Sequence, residues 1–481
     1  MNRRMVFYLT GQMLKVEAAL LILPLIVSLY YKEACFTSFL ITIGIALAVG
    51  FLLTLITRPQ NHVIYAKEGF VVVTLAWISM SLIGALPFTI SGEIPSYVDA
   101  VFETVSGFTT TGASIVENVE KLSHGILFWR SFTHWVGGMG VLVFVLAIIP
   151  NFSDRSIHLI RAEMPGPIVD KLVPKAKDTA KILYLIYIGL TVVEIVLLLF
   201  GGMSLFESTV HTFGTAGTGG FGIKLDSVGG YNSYIQWVIA IFMLIFGINF
   251  NIFFLILIRR FRSVIKNVEM WSYFGIVAVS VVIITANIMP LCKNFSEAIR
   301  LSAFQVSSII TTTGYATTDF NLWPDLSKYI LLLLMFCGAC AGSTAGGLKV
   351  SRVVILFKMI KKEFKHMLHP RSVSVVKMDG KQIDSTTLNS VSTYFALYML
   401  CFFATLFVLC FEPSFGFETN FSAAASCFNN IGPGLGMVGP ASSYACYSDI
   451  STIMLTFAML LGRLEIFPLL LFLSPSTWAK K

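Results

Sequence analysis

The chain has 481 residues, 56% of them hydrophobic and only 12% charged, with a formal net charge of +8. A soluble domain carries about 25% charged residues, so this composition excludes a soluble globular fold. Apolar runs of about 20 residues recur along the whole length, the mark of an all-α polytopic membrane protein.

In chain order, Met1-Asn-Arg-Arg precedes an apolar span from about Val16 to Tyr31, and a second span runs from about Phe36 to Ile56. No small-residue cleavage site follows the first span, so it reads as a retained helix and not a signal peptide. Residues 1–60 are therefore expected to form an N-terminal transmembrane hairpin. Four units follow, 61–165, 166–266, 267–386 and 387–481, each built as helix, short dipping segment, helix. The expected helices are Phe70–Ile90 and Gly125–Ile149, Lys181–Phe200 and Tyr234–Ile258, Trp271–Leu291 and Lys328–Lys361, and Val391–Phe411 and Asp449–Leu473. The dips span Ser96–Ser114, Ser204–Gly222, Asn294–Ala316 and Glu418–Gly436. Three of them open with helix-start chemistry. Ser96 precedes Asp99, Ser204 precedes Glu207 and Asn294 precedes Glu297, each a capping side chain three residues before an acid. A short helix starting there would run inward and aim its negative dipole end at a central cation.

Each dip ends in a related string. Thr109-Thr-Thr-Gly-Ala-Ser114 and Thr311-Thr-Thr-Gly-Tyr315 are nearly identical, and Thr215-Ala-Gly-Thr-Gly-Gly-Phe221 and Asn429-Asn-Ile-Gly-Pro433 are looser copies. Aligned on Gly112, Gly220, Gly314 and Gly432, they recur at intervals of about a hundred residues, as in a duplicated membrane unit. Glycine adopts positive φ at little cost, so such strings can turn backbone carbonyls toward one axis and replace the water shell of a small cation. The candidate potassium-filter residues are Thr110, Thr111 and Gly112; Thr218, Gly219 and Gly220; Thr312, Thr313 and Gly314; and Asn430, Ile431 and Gly432. The second and fourth copies are less regular, with Gly219 and Ile431 where the others have threonine.

The run Gly338-Ala-Cys-Ala-Gly-Ser-Thr-Ala-Gly-Gly347 interrupts the second helix of the third unit and reads as an unwound intramembrane segment. Arg463 falls about mid-helix in the fourth unit, where an arginine is costly and functional by default. Its acceptors are either carbonyls of the unwound segment or a buried acid such as Glu194. Glu465 faces elsewhere. Glu194 and Glu465 are the acids read as intramembrane, and the former serves either function or an interhelical hydrogen bond. His134 and His211, placed near the outer ends, have no second ligand at metal spacing and read as structural. Cys337-Gly-Ala-Cys340 reads as small packing residues, and a pairing of Cys427 with Cys446 stays open.

With the N-terminus inside, Lys and Arg fall mostly in inner segments, above all Arg259–Lys266 and Arg352–Lys381. Basic residues so placed are an orientation signal and not a nucleic-acid footprint. The dips then lie outside, on a net-negative face that concentrates cations. No nucleophile and base set appears, so no enzyme activity is expected.

Taken together, Thr109–Gly112, His134-Trp-Val-Gly-Gly-Met-Gly140, Thr311–Gly314, Gly338–Gly347, Asn429–Gly436 and Gly462-Arg463 resemble the Trk/Ktr/HKT superfamily of potassium transporters. The similarity is greatest to its TrkH-type membrane subunits and covers nearly the whole chain. It implies a single-chain pore of pseudo-fourfold symmetry with one selectivity filter, K+ as the transported ion and no covalently bound cofactor. It also implies a homodimer in the lipid of a bacterial cytoplasmic (inner) membrane, both termini cytoplasmic, with a cytoplasmic nucleotide-binding partner of the TrkA type. By the same resemblance Gly338, Gly342, Ser343, Thr344, Gly346, Gly347 and Arg463 form a gate beneath the filter. In plant relatives a serine at the first filter glycine accompanies sodium transport; Gly112 stands there, which favours potassium. A proton- or sodium-coupled symporter on the same scaffold is the alternative, and the sequence leaves coupling and the regulatory nucleotide open.

Overall fold

A computed structural model describes residues 1–59, 65–140, 176–372 and 374–479. The chain begins with α1 (Arg3–Leu20) and α2 (Ile22–Tyr30), which together make one span, and returns through α3 (Phe36–Ile56). Helix α1 starts well before the expected Val16. Asn2 caps it by accepting the Met5 N–H at 3.2 Å, and Met5, Val6, Leu9 and Met13 turn into the core while Arg3 and Arg4 stay exposed. The two helices of the hairpin meet where Gly11 faces Gly50; a Cβ on either would stand 2.9 Å from the other's carbonyl oxygen. Small residues are what let membrane helices approach so closely.

The first unit comprises α4 (Ala66–Gly84), α5 (Leu86–Ser91), α6 (Tyr97–Phe108) and α7 (His124–Gly138). The expected continuation of α7 to Ile149, and the boundary at 165, lie outside the described residues. The second comprises α8 (Ala176–Phe200), α9 (Leu205–Gly217), α10 (Ser233–Phe246), α11 (Phe250–Leu257) and the short α12 (Phe261–Ile265). The third has α13 (Val268–Ile288), α14 (Phe295–Ile310), α15 (Asp325–Cys337) and α16 (Val350–Leu368). A two-stranded hairpin, β1 (Lys377–Met378) and β2 (Lys381–Gln382), leads to the fourth: α17 (Ser385–Leu409), α18 (Phe417–Asn429), α19 (Asp449–Arg463), α20 (Phe467–Leu473) and the terminal α21 (Pro475–Trp478).

Two second helices expected to be continuous are broken. α10 and α11 meet at 89°, and α19 and α20 at 120°. The first break falls at Gly247-Ile-Asn249, where the Asn249 side chain starts α11 by accepting the Asn251 N–H at 2.9 Å. The second falls where Glu465 and Ile466 take φ of 55° and 65°. Among the described residues six helices are long and apolar enough to cross a membrane, or up to eight if each bent pair counts as one span. Large apolar side chains such as Leu52, Phe200, Val282 and Phe407 are exposed on these helices. In lipid that exposure carries no hydrophobic penalty. The interior holds Trp77, Trp129, Tyr187, Tyr273 and Tyr315, all fully buried.

Candidate functional site: a ring of four helix ends

The short helices α6, α9, α14 and α18 lead into the four related strings. Their starts follow the sequence: Ser96, Ser204 and Asn294 accept the N–H groups of Asp99, Glu207 and Glu297, and Glu207 closes a capping box back onto the Ser204 N–H at 3.0 Å. α18 begins instead at Gly416, with no side-chain cap.

All four helices end in the same way. Thr110, Thr218, Thr312 and Asn430 adopt left-handed backbone, with φ of 56°, 57°, 56° and 57°. The next N–H reaches back five residues: Thr111 to Ser106 (2.9 Å), Gly219 to Gly214 (2.8 Å), Thr313 to Ser308 (2.8 Å) and Ile431 to Ser426 (3.0 Å). With the shorter bonds from Thr110 to Gly107, Thr218 to Thr215, Thr312 to Ile309 and Asn430 to Cys427, this is a Schellman end repeated four times. Glycine usually fills the left-handed position. Here three of the four are β-branched threonines, for which positive φ is strained. The aligned glycines then turn again, with φ of 79°, 72°, 86° and 102° at Gly112, Gly220, Gly314 and Gly432.

The four strings close on one another. A Cβ at Gly112 would run into the Gly219 carbonyl oxygen, one at Gly220 into that of Thr313, and one at Gly314 into that of Ile431. One at Gly432 would stand 2.8 Å from the carbonyl oxygen of Thr111, which completes the circle. Each glycine is therefore required by its neighbour's backbone. The irregular copies have local reasons. Gly219 replaces threonine because any Cβ there would enter the His134 ring, whose Nδ1 donates to the Gly107 carbonyl at 2.8 Å. Asn430 replaces threonine and reaches across the ring, donating to Thr111 Oγ1 and the Met459 carbonyl, each at 2.9 Å. His134 thus lies beside the ring and not near an outer end, and His211 is buried within α9.

On one side the four glycines line a cavity of about 370 Å³, together with Ser114, Arg130, Phe221, Pro433 and Tyr444. On the other side lies the segment between α15 and α16, non-helical from Gly338 to Lys349. Gly338, Gly342, Gly347 and Lys349 take φ of 69°, 69°, 73° and 75°. Gly346 donates to Thr312 Oγ1 at 2.7 Å, and a Cβ on it would stand 2.6 Å from the Asn429 carbonyl oxygen. Thr344 Oγ1 reaches the Phe246 carbonyl at 3.4 Å, and Ser343 bonds the Cys340 carbonyl. Arg463, at the C-terminal end of α19 and not mid-helix, donates to the Thr344 carbonyl at 2.8 Å. It also donates to the carbonyls of Gly137 and Gly138, which end α7, and to Thr110 Oγ1 at 3.3 Å. One guanidinium therefore joins three units at the underside of the ring.

Several charged groups here were not read from the sequence. Glu269 of α13 accepts both Ala341 N–H (2.6 Å) and Ser351 N–H (3.1 Å), so it clips the two ends of the non-helical segment together. Lys349 is buried and donates to the carbonyls of Ala345 and Gly346. Arg352 makes a two-point pair with Glu465 at 3.0 and 2.5 Å, tying the segment to the bend in the fourth unit. Glu103 pairs with Arg130 at 2.6 Å, and Glu17 is buried in α1. The intramembrane acids therefore extend beyond Glu194 and Glu465. Arg130 carried the same signal as Arg463, a charge inside an apolar run; Glu17 and Glu269 sit at the edges of expected spans, and Glu103 lies midway along a dipping helix. Cys427 is buried, Cys446 exposed, and all eight cysteines are free. Among the described residues no cluster of His, Cys, Asp and Glu could hold a metal ion.

The family model described as TrkH, cation transport protein, matches residues 36–480. The Trk system potassium uptake protein TrkH of Salmonella typhimurium is 36% identical over 99% of this chain and 100% of its own length. TrkI of Halomonas elongata is 30% identical over 96% of this chain and 94% of its own. The crystal structure of the potassium transporter TrkH from Vibrio parahaemolyticus superposes with a TM-score of 0.89 and 31% identity, covering all of both chains. The chain belongs to the TrkH family of cation transport proteins and is a multi-pass membrane protein.

Proposed function

We propose that this protein carries potassium into the cell through a single-chain, channel-like pore, with the ring of four strings as its selectivity filter. The observation that carries the proposal is the closed circle of glycine-to-carbonyl contacts among four helix ends of one geometry. In this reading the carbonyl groups of Thr110, Thr111, Gly112 and their counterparts in the other units replace the hydration shell of K+. The C-terminal ends of α6, α9, α14 and α18 point their negative dipoles at the same place. The segment Gly338–Gly347 and Arg463 act as the gate, since both stand directly under the ring. The names of the relatives, potassium uptake proteins of a Trk system, support the substrate and a multi-component assembly. We place the protein in the cytoplasmic membrane with both termini inside, as a homodimer bound to a nucleotide-binding subunit of the TrkA type. The membrane voltage supplies about 2.3 kcal/mol per charge per 100 mV, enough to drive uptake without a coupled ion.

One observation favours proton coupling as a second reading: the Glu17 carboxylate is fully buried and neither oxygen has a hydrogen-bond partner among the described residues. Reversal potentials of the purified protein in bilayers separate the two. A potential that tracks the potassium gradient alone supports the channel; one that also shifts with pH at fixed potassium supports symport.

A further inference from the structure

We infer that the buried Glu103–Arg130 pair is a positioning device for the ring and helps set its preference among alkali cations. The inference rests on the reading of the ring as the filter.

Both side chains are almost wholly buried, at 3% exposure for Arg130 and 0% for Glu103. They stand on different elements, Glu103 on α6 and Arg130 midway along α7. Their contacts converge on the chain that leaves the ring. Glu103 accepts the Ile115 N–H at 2.9 Å and the Ser114 hydroxyl at 3.1 Å. Arg130 donates to Glu103 at 2.6 Å and to Ser114 Oγ at 3.1 Å. It reaches into the second unit as well, donating to the Gly222 carbonyl at 3.4 Å with its guanidinium 4.0 Å from the centre of the Phe221 ring. Ser114 and Ile115 follow Gly112, and Phe221 and Gly222 follow Gly220. One ion pair therefore fixes the exits of two adjacent segments.

The other two segments are held without charge. The Ser308 hydroxyl donates to the Tyr315 carbonyl, and the Ser426 and Tyr444 hydroxyls donate to the Gly432 carbonyl at 2.6 and 2.8 Å. The charged support is thus on one side of the ring, and there the groups are linked and buried, so each bond strengthens the others. Cavity size and carbonyl field, the two accounts of cation discrimination, both depend on where the segments are held.

The test measures potassium uptake into liposomes and its competition by sodium, for wild type, Gly112→Ser and Arg130→Gln, with folding checked by size-exclusion profile. A merely structural role would change the amount of active protein and scale both ions alike. A positioning role changes the ratio. We expect Arg130→Gln to fold and to lose about tenfold of its potassium-over-sodium preference, a typical coupling among groups in one network. Should it not fold, Arg130→Lys keeps the charge but loses the planar fork, and the same loss of preference is expected. An unchanged preference in a folded Arg130 variant, with Gly112→Ser altered, overturns this inference alone. Failure of both Arg130 variants to fold also overturns it, since the pair is then structural only. A Gly112→Ser protein that discriminates like wild type removes the reading of the ring on which the inference stands.

Discussion

Thr110, Thr218 and Thr312 hold a backbone conformation that their own side chains disfavour. Such strain costs of order 1–3 kcal/mol per residue and persists only where surroundings impose it. The side chains face useful partners instead: Thr312 Oγ1 accepts from Gly346, and Thr110 Oγ1 from Arg463. Two residues on, only glycine fits at all. Gly112→Ser puts a side chain against the Gly219 carbonyl, which must move. Potassium-over-sodium preference is expected to fall by about tenfold or more, read as sodium competition with potassium flux in liposomes. A different residue-scale expectation concerns Glu33, in the loop between α2 and α3. Burial pushes its carboxyl up, but the Gly125 and His124 N–H groups and the His124 ring outweigh that and hold it below the usual range. A lowered folded pKa means stability that is present above the unfolded value of about 4.3 and lost as pH falls through the folded one. Glu33→Gln should therefore lower the melting temperature at pH 7 and lessen its decline on acidification, as followed by thermal unfolding in detergent.

At the scale of elements, the second helix of a unit carries the specialisation. α7 ends at Gly137 and Gly138, α10 and α19 bend sharply, and α15 stops for a twelve-residue gap before α16. Each interruption frees backbone carbonyls, and Arg463 collects those of Gly137, Gly138 and Thr344. Arg463→Ala removes both a positive charge beneath the ring and the anchor of the non-helical segment. Flux in the absence of any partner should rise severalfold. Deleting Gly338–Ala341 should raise it too, without touching the charge. A folded Arg463→Ala protein with flux at or below wild type would argue against gating. Much of this level was legible in the sequence. The capping residues fixed three helix starts, and the repeated Thr-Gly strings fixed the spacing of the four units. The glycine-rich run marked the gap after α15. The bend at Leu464–Ile466 was read through as helix although Gly462 and Pro468 flank it; the Arg352 pair and the surrounding packing hold Glu465 and Ile466 at positive φ. Pairs such as Glu103 with Arg130 or Arg352 with Glu465 join residues that only the folded units bring together.

For the whole molecule, one exposed helix mixes charge with apolar surface. The far half of α16 exposes Phe357, Phe364, Met367 and Leu368 beside Lys361, Lys362 and Lys365. A helix so little covered by its own chain suits contact with other subunits. Reversing charge at Lys361, Lys362 and Lys365 should weaken co-purification with the proposed nucleotide-binding partner while membrane insertion is kept. Undiminished co-purification would count against docking through this segment. The ring is where four units of one chain meet. The most direct measurement is a structure of the protein in thallium or rubidium, with anomalous or difference density sought along the ring axis. Ion density bounded by the carbonyl oxygens of Thr111, Gly219, Thr313 and Ile431 is expected. A well-ordered ring with no ion there, or ions bound only elsewhere in the protein, would contradict it.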